Sequence, residues 1–282
     1  MSIGPRERAL NWFVAILRGA TRVVGGRRAD RIAAGIAERM PPIVDAVTPA
    51  GTIRFFCPGL LPERRAVELL TKEPETIAWI DGFSPGDVFW DIGANVGSYS
   101  LYAALRGVRT VAFEPAASNY FLLNRNIEIN RMGDRISAYC VALSDVTRLA
   151  ELHMQTTELG GAFNSFSEAL DWQGRPYTAA FNQGMVGFDI DSFVGNFRPA
   201  FPTHIKIDVD GLEHRVLAGA RETLADRRLR SVLIEIDGER EAYKAEIQSL
   251  MERSGLDLAQ SGSSLTLVKD RSYDYLYLFR RR

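Results

Sequence analysis

Short apolar runs of strand length alternate with amphipathic segments of helix length from residue 88 onward. The apolar runs predict buried strands, and the longer segments predict helices. The strands are expected at 88–92, 109–113, 136–141, 204–209 and 231–236, and the helices near 97–106, 118–131, 211–225 and 239–253. This alternation is typical of a parallel sheet with helices on both faces. The sequence therefore predicts an α/β fold with a doubly wound, mostly parallel sheet.

The pattern changes after Gly255. Two alternating runs, 264–269 and 273–279, are separated by Asp270-Arg271-Ser272. This arrangement predicts a hairpin that closes the sheet with one antiparallel strand. Such an ending is not part of the usual dinucleotide-binding sheet.

A long stretch, residues 143–203, separates the third predicted strand from the fourth. Insertions of this length are usually functional, often as lids or substrate loops. Asn164 and Ser165 lie in its Gly-rich part and are candidates to hydrogen-bond a substrate. A polar turn is the alternative interpretation of both residues.

The first 40 residues differ in composition from the rest. They predict one or two helices in which Trp12, Phe13, Ile16 and Leu17 share an apolar face. The segment is also basic, through Arg6, Arg8, Arg18, Arg22, Arg27, Arg28 and Arg31. We expect a helical cap that packs on the main domain. A helix that contacts an anionic membrane surface or a partner is the alternative.

Three regions are predicted along the chain. Residues 1–50 form a helical N-terminal extension, and residues 51–84 form a strand and helices that lead into the core. Residues 85–282 form the main domain. The size of 282 residues suits one large α/β domain with an extension.

Composition narrows the classes of function. Apolar residues make up 46% and charged residues 24%, as in an ordinary soluble protein, and the formal net charge of −1 gives no field that favours nucleic acid. Cys57 and Cys140 lack the spacing of a disulfide scaffold or a metal site. The longest apolar run near the N-terminus, 9–17, is too short to span a bilayer. We therefore expect a cytoplasmic protein, with peripheral contact at the inner membrane face through residues 1–40 as the alternative.

The first chemical motif is Asp91-Ile-Gly-Ala-Asn-Val-Gly97, which follows the first core strand. A dinucleotide site needs G-x-G-x-x-G, but the corresponding positions here are Gly93, Asn95 and Ser98. S-adenosylmethionine has no pyrophosphate, so its site needs only a close backbone turn and a carboxylate for the ribose hydroxyls. The residues that supply this set are Asp91, Gly93, Asn95, Gly97 and Glu114. The alternative is an ordinary strand-turn-helix with a glycine for packing.

The second chemical cluster follows the fourth core strand, at the edge where open α/β sheets bind ligands. Strand alternation places Lys206 and Asp208 on one side. A buried Lys206 is too costly to leave unpaired, so an ion pair with a neighbouring carboxylate is expected. Asp208 has the fewest structural explanations and is the first candidate for a catalytic base; His214 is the second.

Other acidic residues lie near the same edge. Asp210 followed by Glu213 is typical of a helix N-cap with an acidic third residue, which favours a structural role for both. Asp208 together with Glu235 and Asp237 offers oxygen ligands for a Mg²⁺ ion. No compact ligand spacing supports that site, and we do not favour it.

Taken together, these motifs resemble those of the FkbM-type methyltransferases. The resemblance covers about residues 51–282 and rests on the two clusters above in family order and spacing. Further matching segments are Phe113-Glu-Pro115, Ala142-Leu-Ser-Asp145, Val216-Leu-Ala-Gly-Ala220 and Ile234-Glu-Ile236. One departure is Asp210, where the family more often has Glu.

The resemblance implies a Rossmann-like class I methyltransferase sheet, S-adenosylmethionine as methyl donor and a hydroxyl of a sugar, glycan or glycosylated natural product as acceptor. By position, Asp91 to Gly97 would hold the methionine part, Glu114 the ribose, and Ala142, Leu143 and Asp145 the adenine. Asp208 would face the methyl group. An NAD(P)-linked reductase and a non-catalytic binding module on the same scaffold are the alternatives.

Overall fold

The computed structural model describes residues 5–23, 25–237, 240–263 and 274–282. Its helices are α1 (Pro5–Val23), α2 (Gly26–Arg39), α3 (Leu60–Val67), α4 (Pro74–Asp81), α5 (Ser98–Leu105), α6 (Ala117–Ile129), α7 (Ile190–Phe197), α8 (Glu213–Ala218), α9 (Arg221–Ala225) and α10 (Glu241–Arg253). Its strands are β1 (Ile43–Thr48), β2 (Gly51–Phe56), β3 (Val88–Ile92), β4 (Arg109–Phe113), β5 (Ile136–Tyr139), β6 (Ala142–Ser144), β7 (Arg148–Met154), β8 (Ser165–Phe166), β9 (Phe181–Asp189), β10 (His204–Ile207), β11 (Ser231–Asp237), β12 (Leu256–Ser263) and β13 (Asp274–Arg281).

A seven-stranded sheet forms the centre of the fold, with the strand order β12-β13-β11-β10-β3-β4-β5. The five strands from β11 to β5 are parallel to one another, whereas β13 is antiparallel to both of its neighbours. The chain leaves β3 toward β5 on one side and later returns to β10 on the other side. The switch point of the topology therefore lies between β3 and β10, where ligands of open α/β sheets bind. This arrangement confirms the predicted doubly wound, Rossmann-like sheet with one antiparallel strand.

Alternate residues of β3 enter the two apolar layers that enclose the sheet. Phe89 packs in a cluster with Leu101 and Leu122, and Trp90 packs in the opposite cluster with Phe193. Phe89 and Trp90 are both fully buried. Full burial of side chains of this size contributes about 1.5–3 kcal/mol each. The first core strand is therefore held rigidly, and the turn that follows it is fixed in position.

The long insertion is a second sheet rather than a loop. It has four strands in the order β6-β9-β7-β8, with β7 and β9 paired antiparallel over their length. The predicted strand 136–141 consequently divides, because β5 belongs to the central sheet and β6 to the second sheet. The segment between β7 and β8 returns over the switch point.

Three predicted elements have different bounds. The predicted helix 211–225 is interrupted at Gly219, whose carbonyl accepts the N–H of Asp191 over 3.0 Å. Gly219 also lies so close to Ser144 that a Cβ would be 2.2 Å from its carbonyl oxygen. The closing hairpin is present, but it pairs β12 with β13, and the predicted strand 264–269 lies outside the described residues. Residues 43–48, which the domain prediction placed in the helical extension, form β1 and pair antiparallel with β2.

The chain divides into two units, Met1–Pro42 and Ile43–Arg282. In the first unit, α1 and α2 contact each other. Trp12, Phe13 and Ile16 are exposed. The packing of this segment on the main domain as a cap stays a prediction. The side chain of Leu17 lies outside the described part. Among the described helices, none is long and apolar enough to cross a membrane.

Candidate functional site

A cavity of about 580 Å³ opens at the carboxyl ends of β3, β4 and β10. Both chemical clusters of the sequence contribute to its wall, through Gly93 and Asn95, Glu114, and Asp208 and Asp210. The insertion supplies the opposite wall. The described structure therefore brings the predicted turn, the predicted ribose carboxylate and the fourth-strand carboxylates to one site.

Gly93 is fixed by the approach of two backbone segments. Its N–H donates to the carbonyl of Phe113 over 2.9 Å, and its φ is +86°. A Cβ at this position would lie 1.8 Å from the carbonyl oxygen of Asp208. Only glycine allows this contact, so the turn after β3 and the end of β10 are packed directly against each other.

The carboxylate of Glu114 is buried at the cavity wall. Its two oxygens accept the N–H groups of Asn95 and Ala116 over 2.8 and 2.9 Å. Burial raises the pKa of Glu114 to about 7, and these hydrogen bonds only partly oppose that shift. Glu114 thus anchors the turn, while its remaining lone pairs can accept hydroxyl donors.

The tip of the insertion is tied to the cavity rim. The carbonyl of Gly161 accepts the side-chain amides of Asn95 and Asn119 over 2.9 Å each, and Arg65 donates to the carbonyl of Gly160. The Oδ1 atom of Asn95 is buried and has no hydrogen-bond partner among the described residues. The same holds for Oδ1 of Asn164. Neither of these two atoms has accessible surface, so a ligand would reach them only if the side chains moved.

A buried charge cluster forms one end of the cavity. The ammonium of Lys206 lies 2.7 Å from Asp208 and 3.7 Å from Glu73. Burial alone would raise the pKa of Asp208, but the positive charges of Lys206 and Lys72 hold it well below its usual range. The predicted ion pair of Lys206 is therefore confirmed. A carboxylate held in this way is a weak base.

Three carboxylates of this cluster are close enough to share a metal ion. One oxygen each of Glu73, Asp208 and Glu235 lies within 4.8 Å of the others. The ammonium of Lys206 already supplies a cation inside the group. The side chain of Asp237, a predicted metal ligand, lies outside the described part.

Asp210 occupies a strained position between the strand end and the insertion. Its φ is +56°, a conformation that non-glycine residues rarely adopt. One carboxylate oxygen accepts the N–H of Phe163 over 2.6 Å. Burial and the charge of the neighbouring Asp208 raise the pKa of Asp210 to about 7. The predicted N-cap role is wrong, because α8 begins at Glu213 without a side-chain cap.

Six predicted site residues of the described part lie outside the cavity lining, and one of them is Lys206, the buried partner of Asp208. Asp91 is buried beneath the turn and accepts the hydroxyl of Ser100 over 2.6 Å, and burial raises its pKa to about 6. Gly97 is the N-cap residue of α5. Asp145 pairs with Arg148 on the surface.

The other two are Ser165 and His214. Ser165 is buried in β8 and donates to the carbonyl of Glu168. His214 contacts Tyr243, so it does not face the cavity as a base would. By contrast, Ala142, Leu143 and Asn164 do line the cavity.

Sequence reasoning missed several lining or neighbouring residues. Glu73 directly precedes α4 and is far from both motifs in the sequence. Phe163 and Trp172 line the cavity from the insertion, and Arg65 and Lys72 line it from the lead-in segment. The aromatic content of the insertion was a usable signal. Nothing in the local pattern placed Glu73 beside Lys206.

The chain matches the family model described as "Methyltransferase FkbM domain" over residues 91–258. A similar protein is the 31-O-demethyl-FK506 methyltransferase FkbM of Streptomyces tacrolimicus, 30% identical over 174 residues, which are 54% of this chain and 66% of that protein. Methyltransferase sdnD of Sordaria araneosa is 27% identical over 192 residues, 60% of this chain and 73% of that protein. The chain thus spans roughly two thirds to three quarters of these relatives.

Among solved structures, the magnesium protoporphyrin IX methyltransferase ChlM from Synechocystis PCC 6803, solved with bound SAM, has a TM-score of 0.46 and 15% identity to this chain. The match covers 79% of this chain and 85% of that one.

Proposed function

Because this chain belongs to the FkbM methyltransferase family, we propose that it transfers a methyl group from S-adenosylmethionine to a hydroxyl oxygen of a saccharide or a glycosylated natural product. Family membership makes the chain a methyltransferase. The identities of the donor and the acceptor and the roles of the individual residues are proposed. The observation that carries it is one cavity that holds the Gly93 turn, Glu114 and the fourth-strand carboxylates together.

The residues of the cavity fit the donor. A volume of about 580 Å³ lies within the range of small-molecule sites. Glu114, which lines the cavity, would accept the ribose hydroxyls. Ala142 and Leu143 give an apolar surface for the adenine. The turn lacks two of the three glycines that a pyrophosphate site needs, which disfavours the reductase alternative.

Polar and aromatic groups of the insertion support a sugar as acceptor. Phe163 and Trp172 line the cavity beside the polar side chain of Asn164. Apolar faces of sugar rings pack on aromatic side chains, and their hydroxyls bind amides. The Streptomyces relative is named for a substrate that lacks a methyl group on oxygen, which agrees with an oxygen acceptor here.

Two carboxylates divide the catalytic work in this proposal. Asp208, fixed by Lys206, aligns the acceptor by accepting a hydrogen bond, and it would be a weak base because its pKa is low. Asp210 removes the hydroxyl proton, since its raised pKa matches that task near neutral pH. His214, the second predicted base, has no such position.

The step is a single displacement. The acceptor oxygen forms a bond to the methyl carbon as the carbon–sulfur bond breaks, and the sulfur keeps the electron pair of that bond. The hydroxyl proton passes to the oxygen of Asp210 that Phe163 does not hold. Alignment of the reacting atoms can supply on the order of 7–11 kcal/mol of the barrier reduction.

We propose that Lys206, not Mg²⁺, balances the charge of Asp208, Glu73 and Glu235. A metal at the same place would have to displace an ammonium that already has two carboxylate neighbours. If this is right, dialysis against EDTA leaves turnover unchanged. A loss of turnover that added Mg²⁺ restores would instead assign the three carboxylates to a metal.

Calorimetry with S-adenosylhomocysteine tests the donor, with NADH as the matched control. We expect binding of the first and none of the second. A panel of saccharides and lipid-linked saccharides, incubated with methyl-labelled donor, then tests the acceptor. Label that survives mild base is a methyl ether on a hydroxyl, whereas a methyl ester is lost. Donor binding without transfer to any acceptor would favour the non-catalytic binding module.

A further inference from the structure

The described side chains of the unit Met1–Pro42 form no apolar core. Helices α1 and α2 contact each other, yet no described side chain of this unit is buried. Isolated helices of this size are marginal in water, and their stability normally comes from packing of an apolar face. Within the described part of this unit, the apolar face of α1 therefore has no apolar core to pack against.

Large apolar side chains of α1 are exposed together. Trp12 is 69% exposed, Phe13 56% and Ile16 45%. Helical spacing places these three on one side of α1, and Asn11 and Arg18 on the other. A helix with Trp and Phe on one face and arginine on the other has the pattern of a helix that lies in a membrane interface.

Charge is divided unequally between the two units. Residues 1–42 contain eight arginines and three acidic residues, a formal charge of +5. The remaining residues contain 26 basic and 32 acidic residues, a formal charge of −6. In α2, Arg27, Arg28 and Arg31 are all exposed. The exposed apolar face thus lies within the basic part of an otherwise acidic protein.

We propose that α1 and α2 bind the surface of a bilayer that contains anionic lipids, with Trp12, Phe13 and Ile16 inserted among the headgroups. An anionic bilayer is negatively charged at its surface and apolar below its headgroups. It therefore complements both the positive charge of this unit and the exposed apolar face of α1. A second copy of the unit would bring +5 against +5 and is disfavoured. The acidic unit of the same chain is the competing partner, and the experiment separates the two.

The experiment is co-sedimentation of the full chain with vesicles. We expect binding to vesicles of 30% phosphatidylglycerol in phosphatidylcholine, and at least about tenfold weaker binding to phosphatidylcholine alone. Salt should weaken the binding, because a Debye length falls from about 10 Å at 0.1 M to 3 Å at 1 M. Absence of binding to the anionic vesicles would overturn the proposal.

Matched variants identify the surface. Trp12→Ser with Phe13→Ser should lower the partition coefficient by at least about tenfold. The control is Leu149→Ser, which removes an apolar side chain that is 84% exposed in the other unit and should change nothing. Equal binding by the double variant and the control would overturn the proposal.

A second set of variants tests the charge. Changing Arg27, Arg28 and Arg31 to Gln should weaken binding about a hundredfold, at roughly one kilocalorie per residue. The same change at exposed arginines of the acidic unit, Arg221, Arg227 and Arg253, is the control. The melting temperature of the Trp12 and Phe13 double variant without vesicles should equal that of the wild type. A clear fall would mean that these side chains pack on their own chain, which contradicts the proposal.

Discussion

Asp208 and Asp210 are two residues apart and both line the cavity, yet their surroundings shift their pKa values in opposite directions. Lys206 holds the pKa of Asp208 low, whereas burial and the charge of Asp208 raise the pKa of Asp210 to about 7. A pair of carboxylates separated in this way is a common basis for different roles in one site. The strained φ of Asp210 is a second sign, because strain concentrates at functional positions.

We predict that Asp210→Asn lowers kcat/KM by about 10²–10⁴-fold, with affinity for S-adenosylhomocysteine within a few-fold of wild type. In the wild type, kcat/KM should rise with pH and level off above about 7, because the base must be ionised. The variant should lose this rise. Rates are measured with the acceptor that the labelled-donor panel identifies.

Two further variants test whether Asp210 is the base. Asp210→Glu keeps the carboxylate and should recover part of the rate together with the pH dependence. Asp257→Asn, at an exposed ion pair with Arg282, is the control and should behave as wild type. If Asp208→Asn removed the pH dependence while Asp210→Asn kept it, the base would be Asp208.

The second prediction for a single residue concerns Glu114. Glu114→Ala should weaken binding of S-adenosylhomocysteine by about 1.5–3 kcal/mol, the range for hydrogen bonds to a charged group. Glu114→Gln keeps the size of the side chain, so it separates loss of the carboxylate from loss of packing. Calorimetry on variants with native circular dichroism measures the change. Unchanged affinity in both folded variants would remove Glu114 from the donor site.

The sequence could predict those site residues that follow a core strand directly. Gly93, Glu114 and Asp208 all belong to this class, since strand ends meet at one sheet edge. It could not predict Glu73, because its approach to Lys206 depends on how α4 packs against the sheet. It also placed His214 at the site, although the direction of the first turn of α8 turns that ring toward Tyr243.

At the scale of elements, the site depends on the contact between the turn after β3 and the end of β10. Gly93→Ala places a methyl group 1.8 Å from the carbonyl of Asp208, so one of the two segments must move. Gly107 has the same φ of +86° but nothing within 4 Å of its Cβ position. The two glycines therefore separate the cost of the close contact from the cost of the backbone conformation.

We predict that Gly107→Ala lowers the free energy of unfolding by about 1–2 kcal/mol, the usual cost of the left-handed conformation. Gly93→Ala should cost clearly more and should also weaken donor binding, because the turn shifts. Urea denaturation of both variants gives the comparison. Equal losses of stability would mean that the contact with Asp208 relaxes without cost.

The periodic pattern predicted the central sheet well and the insertion poorly. Strands such as β3 and β4 are continuous apolar runs because both of their faces are buried. In β7 and β9 large apolar side chains such as Leu149 and Phe181 are exposed, and long polar segments separate the strands, so the strand pattern is weak. The sequence pattern also did not show the interruption of the predicted helix 211–225 at Gly219, because this interruption depends on a contact with the second sheet.

On the scale of the whole molecule, the protein consists of an acidic catalytic unit and a basic helical unit. The net charge of the whole chain does not reveal this division, because the formal charges of +5 and −6 sum to −1. A membrane-bound enzyme would meet its acceptor at the same surface if the acceptor is lipid-linked. The vesicle experiment and the acceptor panel together decide whether membrane binding and methyl transfer to a lipid-linked acceptor belong to one function.

Burial of ionisable groups at the site also makes the stability of the whole molecule depend on pH. Burial raises the pKa of Glu114 to about 7, against about 4.3 in an unfolded chain. Between roughly pH 4 and pH 7 the folded state therefore holds a proton that the unfolded state has lost, so this group makes stability fall as the pH rises. His204 acts in the opposite direction, because burial lowers its pKa.

A matched variant isolates the contribution of Glu114. In the Glu114→Gln variant this position cannot ionise. The histidines contribute equally to the pH dependence of the variant and of the wild type, so their contributions cancel in the difference at each pH. We predict that the free energy of unfolding of the variant, minus that of the wild type, increases from pH 4.5 to pH 7.5 by at most about 1.4 kcal/mol per pH unit. Urea denaturation without ligand at four pH values measures this difference. A difference that stays constant across the window would mean that Glu114 is already ionised in the folded protein at pH 4.5.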